Sequence, residues 1–337
     1  MLRYAYLLSY TIPVATLISL NQQGFLAYSA LAYAFGLLPL LEFLLPAPKG
    51  NPAPAQEARL KADRFYDWIL YLMVPVQYGL LIRFCDAIAS APDASLATRV
   101  GHITAMGVSC GVIGINVAHE LGHRAKPFER VLARLLLATS LNWQFFVEHN
   151  RGHHKNVSTP DDPESARLNE SLYAFWIRAV RDSMVNAFKL DQKEMLAGIT
   201  FECALSGAIF FVSGGAAAVG FFFAAMFGVL LLQSVNYIEH YGLQRRELAP
   251  GRFEPVTPRH SWDADPFLSR AILFELSRHS DHHAFASRKY PILRHHAGSP
   301  KMPTGYPGMI LLALVPPLWR SVVHPLIQPA GSAPQNR

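Results

Sequence analysis

Cysteine and charged residues are scarce in this chain, which has 3 cysteines among 337 residues and only 16% Asp, Glu, Lys and Arg. The cysteines, Cys85, Cys110 and Cys203, lie in apolar segments, and no two of them form a C-x-x-C pair. This spacing argues against a disulfide framework, a sulfur-ligated metal ion and an iron–sulfur cluster. Basic stripes with interleaved aromatic residues are missing as well, so the net charge of +6 does not indicate a nucleic-acid partner.

Hydrophobic residues make up 51% of the sequence, and they form long runs rather than stripes along one side of a helix. Six runs have about the 17 to 25 residues that a membrane span requires. They lie at 4–20, 25–45, 65–85, 100–118, 199–216 and 219–236. We therefore predict an all-α fold: an integral membrane bundle of six transmembrane helices that forms one domain, 1–337, with 119–198 and 237–337 on the same side of the membrane.

Short basic loops predict the orientation of this bundle. Arg59, Lys61 and Arg64 lie between the second and third predicted spans, and Arg124 and Lys126 follow the fourth. Loops rich in Lys and Arg remain on the cytoplasmic side of a membrane. Both termini and the two long segments outside the spans are therefore expected in the cytoplasm, as in a multi-pass protein of the cytoplasmic membrane.

Eight of the 14 histidines fall into three short clusters. These are His119 with His123, then His149 with His153 and His154, and finally His279 with His282 and His283. Residues three or four apart lie on one face of a helix, so each cluster can direct two or three imidazoles towards one point. Eight nitrogens exceed the needs of one ion, so the clusters predict two metal ions with open coordination positions.

The predicted topology brings the three clusters to one end of the bundle. This prediction requires that segment 131–147 does not cross the membrane, and its length together with Asn142 and Gln144 favours a helix at the membrane surface. His240 follows the sixth predicted span and reaches the same end. Taken alone, such a residue is more often a cap at the end of a helix.

Three other interpretations of the histidines are open to test. His119-Glu120-Leu-Gly-His123 matches the H-E-x-x-H helix of zinc proteases, in which the glutamate is the general base, but one further zinc ligand would leave the other two clusters unexplained. Ordinary hydrogen-bonded histidines do not explain three clusters at one membrane face. A soluble di-iron bundle needs several inward glutamates, and this chain offers histidines instead.

Five stretches together resemble the bacterial membrane alkane 1-monooxygenases. They are 116–124, 148–163, 236–243, 278–284 and 303–309, which span most of the chain. Related methylarene hydroxylases and fatty-acyl desaturases share the three histidine clusters, but the flanking residues are closest to the alkane enzymes. Hydroxylation or desaturation of a methylarene or fatty-acyl chain remains the alternative function.

The resemblance implies a non-haem di-iron monooxygenase that uses O2 to hydroxylate the terminal methyl group of an alkane to a 1-alkanol. It implies that nine histidines hold the two irons: His119, His123, His149, His153, His154, His240, His279, His282 and His283. It also implies a bacterial inner-membrane location, with the alkane arriving from the lipid. Electrons would come from a separate rubredoxin, which an NADH-dependent rubredoxin reductase reduces, and no catalytic acid or base is expected beyond the iron ligands.

Two further groups of residues are candidates for supporting roles. Glu120, Glu148, Glu239 and Asp281 adjoin the histidines. Each is expected either to accept the outward N–H of a ligating ring, which would orient that ring, or to be an ordinary solvated carboxylate. Ala27, Ala30 and Ala34 recur at helical spacing on the second predicted span, which indicates close helix packing or, at Ala34, the wall of a channel for the substrate chain.

Overall fold

The computed structural model describes residues 3–45 and 50–327, and these residues are mostly helical. The all-α prediction is therefore confirmed. The last ten residues of the predicted segment 237–337 lie outside the described part. Within that part the only sheet is a two-stranded antiparallel hairpin, Glu247–Ala249 with Arg252–Phe253.

The helices before the second histidine cluster are Arg3–Tyr10 continuing as Thr11–Leu20, then Gly24–Leu44, Pro54–Ala62, Phe65–Ala89, Leu96–Gly122, Pro127–Ala138 and Gln144–Glu148. Three of them contain 3-10 or π turns: the first, Gly24–Leu44 and Leu96–Gly122. The helices from the second cluster onwards are His149–His153, His154–Asn156, Leu172–Leu190, Gln192–His240, Pro258–His260, Phe267–Ile272, His279–Ala284, Tyr290–Ile292, Tyr306–Ala313, Pro316–Val323 and His324–Leu326.

Four of these helices are long and apolar enough to cross a membrane, counting only residues 3–45 and 50–327. They are Gly24–Leu44, Phe65–Ala89, Leu96–Gly122 and Gln192–His240. The last one contains both of the predicted spans 199–216 and 219–236. The first predicted span, 4–20, is helical but is not one of the four.

The helix Gln192–His240 is interrupted at Gly214, whose φ of 84° and ψ of 169° are not helical. Glycine adopts a positive φ without the steric cost that a Cβ atom imposes. Just before the helix starts, Asp191 binds Arg151 of the second histidine cluster at 2.6 Å. The helix ends at His240, beside the third cluster. Both ends therefore lie at the same end of the molecule, so the chain reverses its direction near Gly214.

Close backbone contacts fix the position of the two helices that carry His119 and His240. A Cβ atom added at Gly228 would lie 2.6 Å from the Cβ of Cys110, and one added at Gly107 would lie 2.6 Å from the Phe227 ring. Only glycine permits this approach of the two backbones. Cys110–Ile115 is a π turn, and such turns often occur at functional sites.

The segment between the first two clusters does not have the length of a span. Its main helix, Pro127–Ala138, has 12 residues, or about 18 Å at 1.5 Å per residue, against a hydrocarbon core of about 30 Å. Leu141 then turns the chain with a φ of 45°. The clusters on either side of this segment consequently lie on the same side of the bundle.

Candidate metal centre

Nine histidines converge at this end of the bundle and form two groups. The five-histidine group is His119, His123, His149, His154 and His282, and the four-histidine group is His153, His240, His279 and His283. Within each group the candidate ligand nitrogens all lie within 4.8 Å of one another. The second and third sequence clusters are thus each divided between the two groups.

The division follows from local helix geometry. The second cluster lies on the π turn His149–His153 and the residue after it, and the third lies on the helix His279–Ala284. Successive residues on an α-helix point about 100° apart. His153 and His154 therefore face different groups, and so do His282 and His283.

The distances between neighbouring ring nitrogens fit a shared metal ion. In the five-histidine group, the Nε2 atoms of His119 and His282 are 2.9 Å apart, those of His123 and His149 are 3.0 Å apart, and those of His149 and His154 are 3.0 Å apart. Two nitrogens about 2.1 Å from one ion are about 3.0 Å apart at an angle of 90° and about 3.4 Å apart at the tetrahedral angle. The observed spacing is therefore compatible with neighbouring rings that would bind one ion.

The electrostatics of the two groups favour neutral imidazoles, the form that binds metals. Burial, together with the neighbouring imidazoles, lowers the pKa of His149, His154, His282 and His283 well below the ordinary value of 6.5. Protons therefore do not compete with a metal ion for these four rings at neutral pH. All-nitrogen ligation also suits iron, for which imidazole is a common ligand.

Asp162 orients one ring of the four-histidine group. The His153 Nδ1 atom lies 3.0 and 3.1 Å from the two carboxylate oxygens of Asp162, and both side chains are fully buried. Burial alone would lower the pKa of His153, but the Asp162 carboxylate raises it above the usual value. Donation from Nδ1 leaves the Nε2 lone pair free, and among the described residues Nε2 has no hydrogen-bond partner. The carboxylate thus selects the tautomer that a metal requires.

Glu239 is the one predicted carboxylate that contacts a ring of either group. Its Oε1 atom lies 3.2 Å from His279 Nδ1 and accepts a 2.5 Å hydrogen bond from the Tyr306 hydroxyl. The tyrosine therefore fixes the carboxylate, and the carboxylate in turn faces the outward nitrogen of His279. Sequence analysis assigned no role to Asp162 or Tyr306, although both lie in stretches that carry the family resemblance, 148–163 and 303–309.

The other three predicted carboxylates are buried and have different partners. Glu120 binds Arg124 at 2.8 Å and accepts the Tyr290 N–H at 3.3 Å. Asp281 binds Arg288 at 2.6 Å and the ring of His296 at 2.7 Å. The described hydrogen bonds of these two carboxylates do not join them to a ring of either group, because nearby cations compete for them. Both carboxylates are buried rather than solvated.

Glu148 lies in a buried acidic cluster. One of its oxygens accepts a hydrogen bond from Asn186 at 3.1 Å. Burial, followed by the neighbouring carboxylates of Glu164 and Asp162, raises the pKa of Glu148 well above its ordinary value. The described hydrogen bonds of Glu148 do not join it to a ring of either histidine group. Its side chain is fully buried rather than solvated.

The five histidines outside the motifs lie outside both groups. His102 contacts the Gln22 carbonyl, His260 the Thr257 N–H, His295 the Lys301 amine, His296 the Asp281 carboxylate and His324 the Tyr241 hydroxyl. Each of these contacts is an ordinary structural one, as the sequence analysis allows for histidines that do not belong to a cluster.

A narrow, largely apolar cavity of about 100 Å³ leads to the histidines. His119, His149 and His279 lie in its wall, and so does Ala34 of the second predicted span. Ala27, by contrast, is held in close helix packing, since a Cβ atom at Gly101 would lie 2.6 Å from the Ala27 methyl group. Of the alanines at helical spacing on this helix, Ala27 therefore belongs to helix packing and Ala34 to the cavity wall.

Comparison with known proteins places this arrangement in a family. A model of the family described as "Fatty acid desaturase" matches residues 95–312, a range that contains all nine histidines. The chain belongs to this fatty acid desaturase family.

Its similarity to individual proteins is more specific. It is 38% identical over 320 residues to Alkane 1-monooxygenase 1 of Pseudomonas aeruginosa, covering 90% of this chain and 84% of the relative. It is 34% identical over 349 residues to Alkane 1-monooxygenase 2 of Alcanivorax borkumensis, covering 97% and 91%. It is 26% identical over 333 residues to the hydroxylase component of the xylene/toluene monooxygenase of Pseudomonas putida, covering 93% and 86%. The resemblance to alkane 1-monooxygenases is confirmed, and the protein is an oxidoreductase.

Three observations argue against the zinc protease alternative. The relatives are oxygenases, and Glu120 is held by Arg124 and Tyr290 instead of being free to act as a base. His119 and His123 also belong to a five-histidine group, which exceeds the three protein ligands of a catalytic zinc.

Proposed function

We propose that this protein hydroxylates the terminal methyl group of alkanes to give 1-alkanols. The observation that carries this proposal is the apolar cavity with rings of both histidine groups in its wall. Most of the side chains that line this cavity are apolar, so it can accept a hydrocarbon chain. The relatives' names supply the reaction class, and the cavity fits their substrate.

The nine histidines would hold two iron ions, five rings on one and four on the other. When bound, the two irons supply the chemistry that reduces O2 with two electrons, inserts one oxygen atom into a C–H bond and releases the other as water. This donor set fits iron because it contains imidazoles alone and leaves open coordination positions. O2 is then the co-substrate.

The protein's own residues position the reactants. The apolar wall around Ala34, Leu38 and Ile310 binds the alkane chain and excludes water. Since His119, His149 and His279 lie in the same wall, a chain that fills the cavity presents its end to the histidines. Asp162 and Glu239 hold two of the rings in orientation. No side chain is assigned as an acid or a base.

The proposed topology has six spans in a single domain, 1–337, with both termini in the cytoplasm of a bacterium and the protein in its inner membrane. Reversal of the chain at Gly214 supports two crossings in the helix Gln192–His240. The helix of the first predicted span, Arg3–Tyr10 with Thr11–Leu20, supplies the remaining one. The basic residues near the metal centre support the cytoplasmic placement.

Electrons would come from rubredoxin, supplied by its reductase and NADH. His123 and His154 are the two partly exposed residues of the histidine groups, so electrons would reach the metal centre on this side. Lys126 and Lys155 follow these rings in the sequence and are exposed. An acidic carrier would be attracted to this side of the molecule.

Product analysis tests the proposal. Membranes containing the protein are incubated with a series of alkanes, NADH, rubredoxin and rubredoxin reductase, and the products are separated by gas chromatography. We expect 1-alkanols that require every component and that are lost in His282→Ala, which removes one ring of the five-histidine group. Oxidation of methylarenes or fatty-acyl chains with no 1-alkanol would contradict the proposal.

A further inference from the structure

A second cavity, of about 360 Å³, lies beside the metal centre and shares no described lining residue with the apolar cavity. It is predominantly polar. Its walls come from the first helix, from the helix Pro54–Ala62 and the residues around it, and from the segment just before the third histidine cluster. The charged residues in these walls are Arg3, Arg59, Asp63, Arg270, Glu275 and Arg278.

The charges of this cavity do not balance, since four arginines face two carboxylates. Asp63 is bound by Arg3 at 2.9 Å, and Glu275 is bound by Arg270 at 2.7 Å. Glu275 also lies 3.3 Å from Arg278, so two arginines share that one carboxylate. Among the described residues no ion pair joins the exposed side chain of Arg59. With four arginines and two carboxylates, the cavity wall has an excess of two positive charges.

Arg278 carries part of this excess in a buried position, with 2% of the residue exposed. Its Nη1 and Nη2 atoms donate to the backbone carbonyls of Leu293 and Gly50, at 2.6 and 2.9 Å. Carbonyls satisfy N–H groups but do not neutralise a charge. The Nε atom has no hydrogen-bond partner among the described residues. A buried cation that shares its paired carboxylate with a second arginine is stabilised by a further anion.

The ends of two proposed membrane spans contribute to the walls of this cavity. Arg3 and Tyr6 begin the first helix, and Tyr66 begins the helix Phe65–Ala89, one of the candidate spans. Tyr4 and Trp68, next to these positions, are 64% and 52% exposed. Exposed tyrosine and tryptophan at the ends of spans are typical of the interface between lipid headgroups and hydrocarbon.

We propose that this cavity binds the phosphate group of an anionic phospholipid. Guanidinium groups bind phosphate oxygens through paired, charge-assisted hydrogen bonds, and basic pockets between membrane helices bind anionic headgroups. The placement at the headgroup level makes a membrane lipid, rather than a phosphate ester in solution, the source of the phosphate. The proposal rests on the membrane topology proposed above but not on the reaction.

Arg59 offers a test that leaves the buried network intact, because its side chain is exposed and lies in the cavity wall. Lys61, on the same helix, is exposed but does not line the cavity, so Lys61→Gln is a matched control for Arg59→Gln. The purified full-length protein and both variants are mixed with phosphatidylglycerol or phosphatidylcholine in detergent, and retained lipid is measured by native mass spectrometry.

We expect the unaltered protein to retain phosphatidylglycerol in preference to phosphatidylcholine. Loss of one basic residue near a headgroup changes lipid affinity by about fivefold, so Arg59→Gln should weaken retention about that much and Lys61→Gln by less than about twofold. An excess of inorganic phosphate should not displace the lipid. The assay does not depend on hydroxylation, so its outcome is separate from that of the proposed function.

Three results would overturn the proposal. The first is equal retention of the two lipids, and the second is an equal loss in Arg59→Gln and Lys61→Gln. The third is displacement of phosphatidylglycerol by inorganic phosphate, which would make free phosphate the ligand. Thermal unfolding of both variants in detergent checks that the protein remains folded.

Discussion

A bulky side chain at position 34 should shorten the alkanes that the protein accepts. Ala34 is buried in the wall of the apolar cavity, on the π turn Tyr33–Leu37 within the helix Gly24–Leu44. Leu38 follows one turn later in the same wall. In Ala34→Trp the indole would occupy space that otherwise holds methylene groups of the substrate.

The size of the effect follows from the free energy of hydrocarbon burial. Each buried CH2 group contributes about 0.8 kcal/mol. If the indole displaces two or three methylene groups, a long alkane loses about 1.6 to 2.4 kcal/mol relative to a short one that does not reach position 34. That difference corresponds to a factor of about 15 to 60 in relative kcat/KM.

The assay compares kcat/KM over a series from medium to long alkanes for the unaltered protein and for Ala34→Trp. Ala32→Trp is a matched control, because Ala32 lies on the same helix but is exposed on its outer side. Iron content and expression are measured for each variant. A well-folded Ala34→Trp protein with an unchanged chain-length profile would refute this reasoning and would assign Ala34 to helix packing.

Three other predictions concern the residues around the metal centre. Asp162→Asn removes the anion that orients His153, so the metal affinity of the four-histidine group should fall about 10- to 100-fold in metal titrations. Asp161 is exposed, so the control variant Asp161→Asn should leave the metal affinity unchanged. Glu120→Gln weakens a buried ion pair, so it should lower the free energy of unfolding by about 1 to 3 kcal/mol in thermal unfolding. The variant should still hydroxylate alkanes, and complete loss of activity in a folded protein would contradict this prediction. The metal-free protein should lose stability as the pH falls below about 6.5. Its buried histidines have lowered pKa values, so the unfolded chain takes up protons first. The free energy of unfolding should fall by about 1.4 kcal/mol per pH unit for each such ring. Glu148, whose raised pKa acts in the opposite sense, is outweighed by four rings, so a rise in stability between about pH 6.5 and 5.5 would contradict the prediction.

The features that depend on local spacing were predictable from the sequence. Histidines three or four apart share a helix face, and apolar runs of span length form helices, so the class of fold and the convergence of the clusters follow from the residues themselves. Gly214 and Gly215 lie at the end of the predicted span 199–216, just before the next predicted span, and the 49-residue helix is interrupted at Gly214. Among the described residues, four helices rather than six are long and apolar enough to span, because one of them contains two predicted spans and the helix of the first predicted span is not one of the four.

The features that depend on distant contacts were not predictable. Tyr306 and Glu239 are 67 residues apart, and no local pattern joins them. Which rings from different clusters come together in one group likewise depends on how distant helices meet. The Glu120–Arg124 ion pair, by contrast, has the i,i+4 spacing of a helical ion pair and could be anticipated from the sequence.

The metal content of the purified protein tests the central claim most directly. Iron and zinc are measured per chain for the unaltered protein, for His282→Ala from the five-histidine group, for His279→Ala from the four-histidine group, and for His324→Ala, which lies outside both groups. The two groups predict about two irons per chain in the unaltered protein and in His324→Ala, with loss of iron in each of the other variants. A single zinc per chain with no iron, or full iron content in both His282→Ala and His279→Ala, would contradict the account.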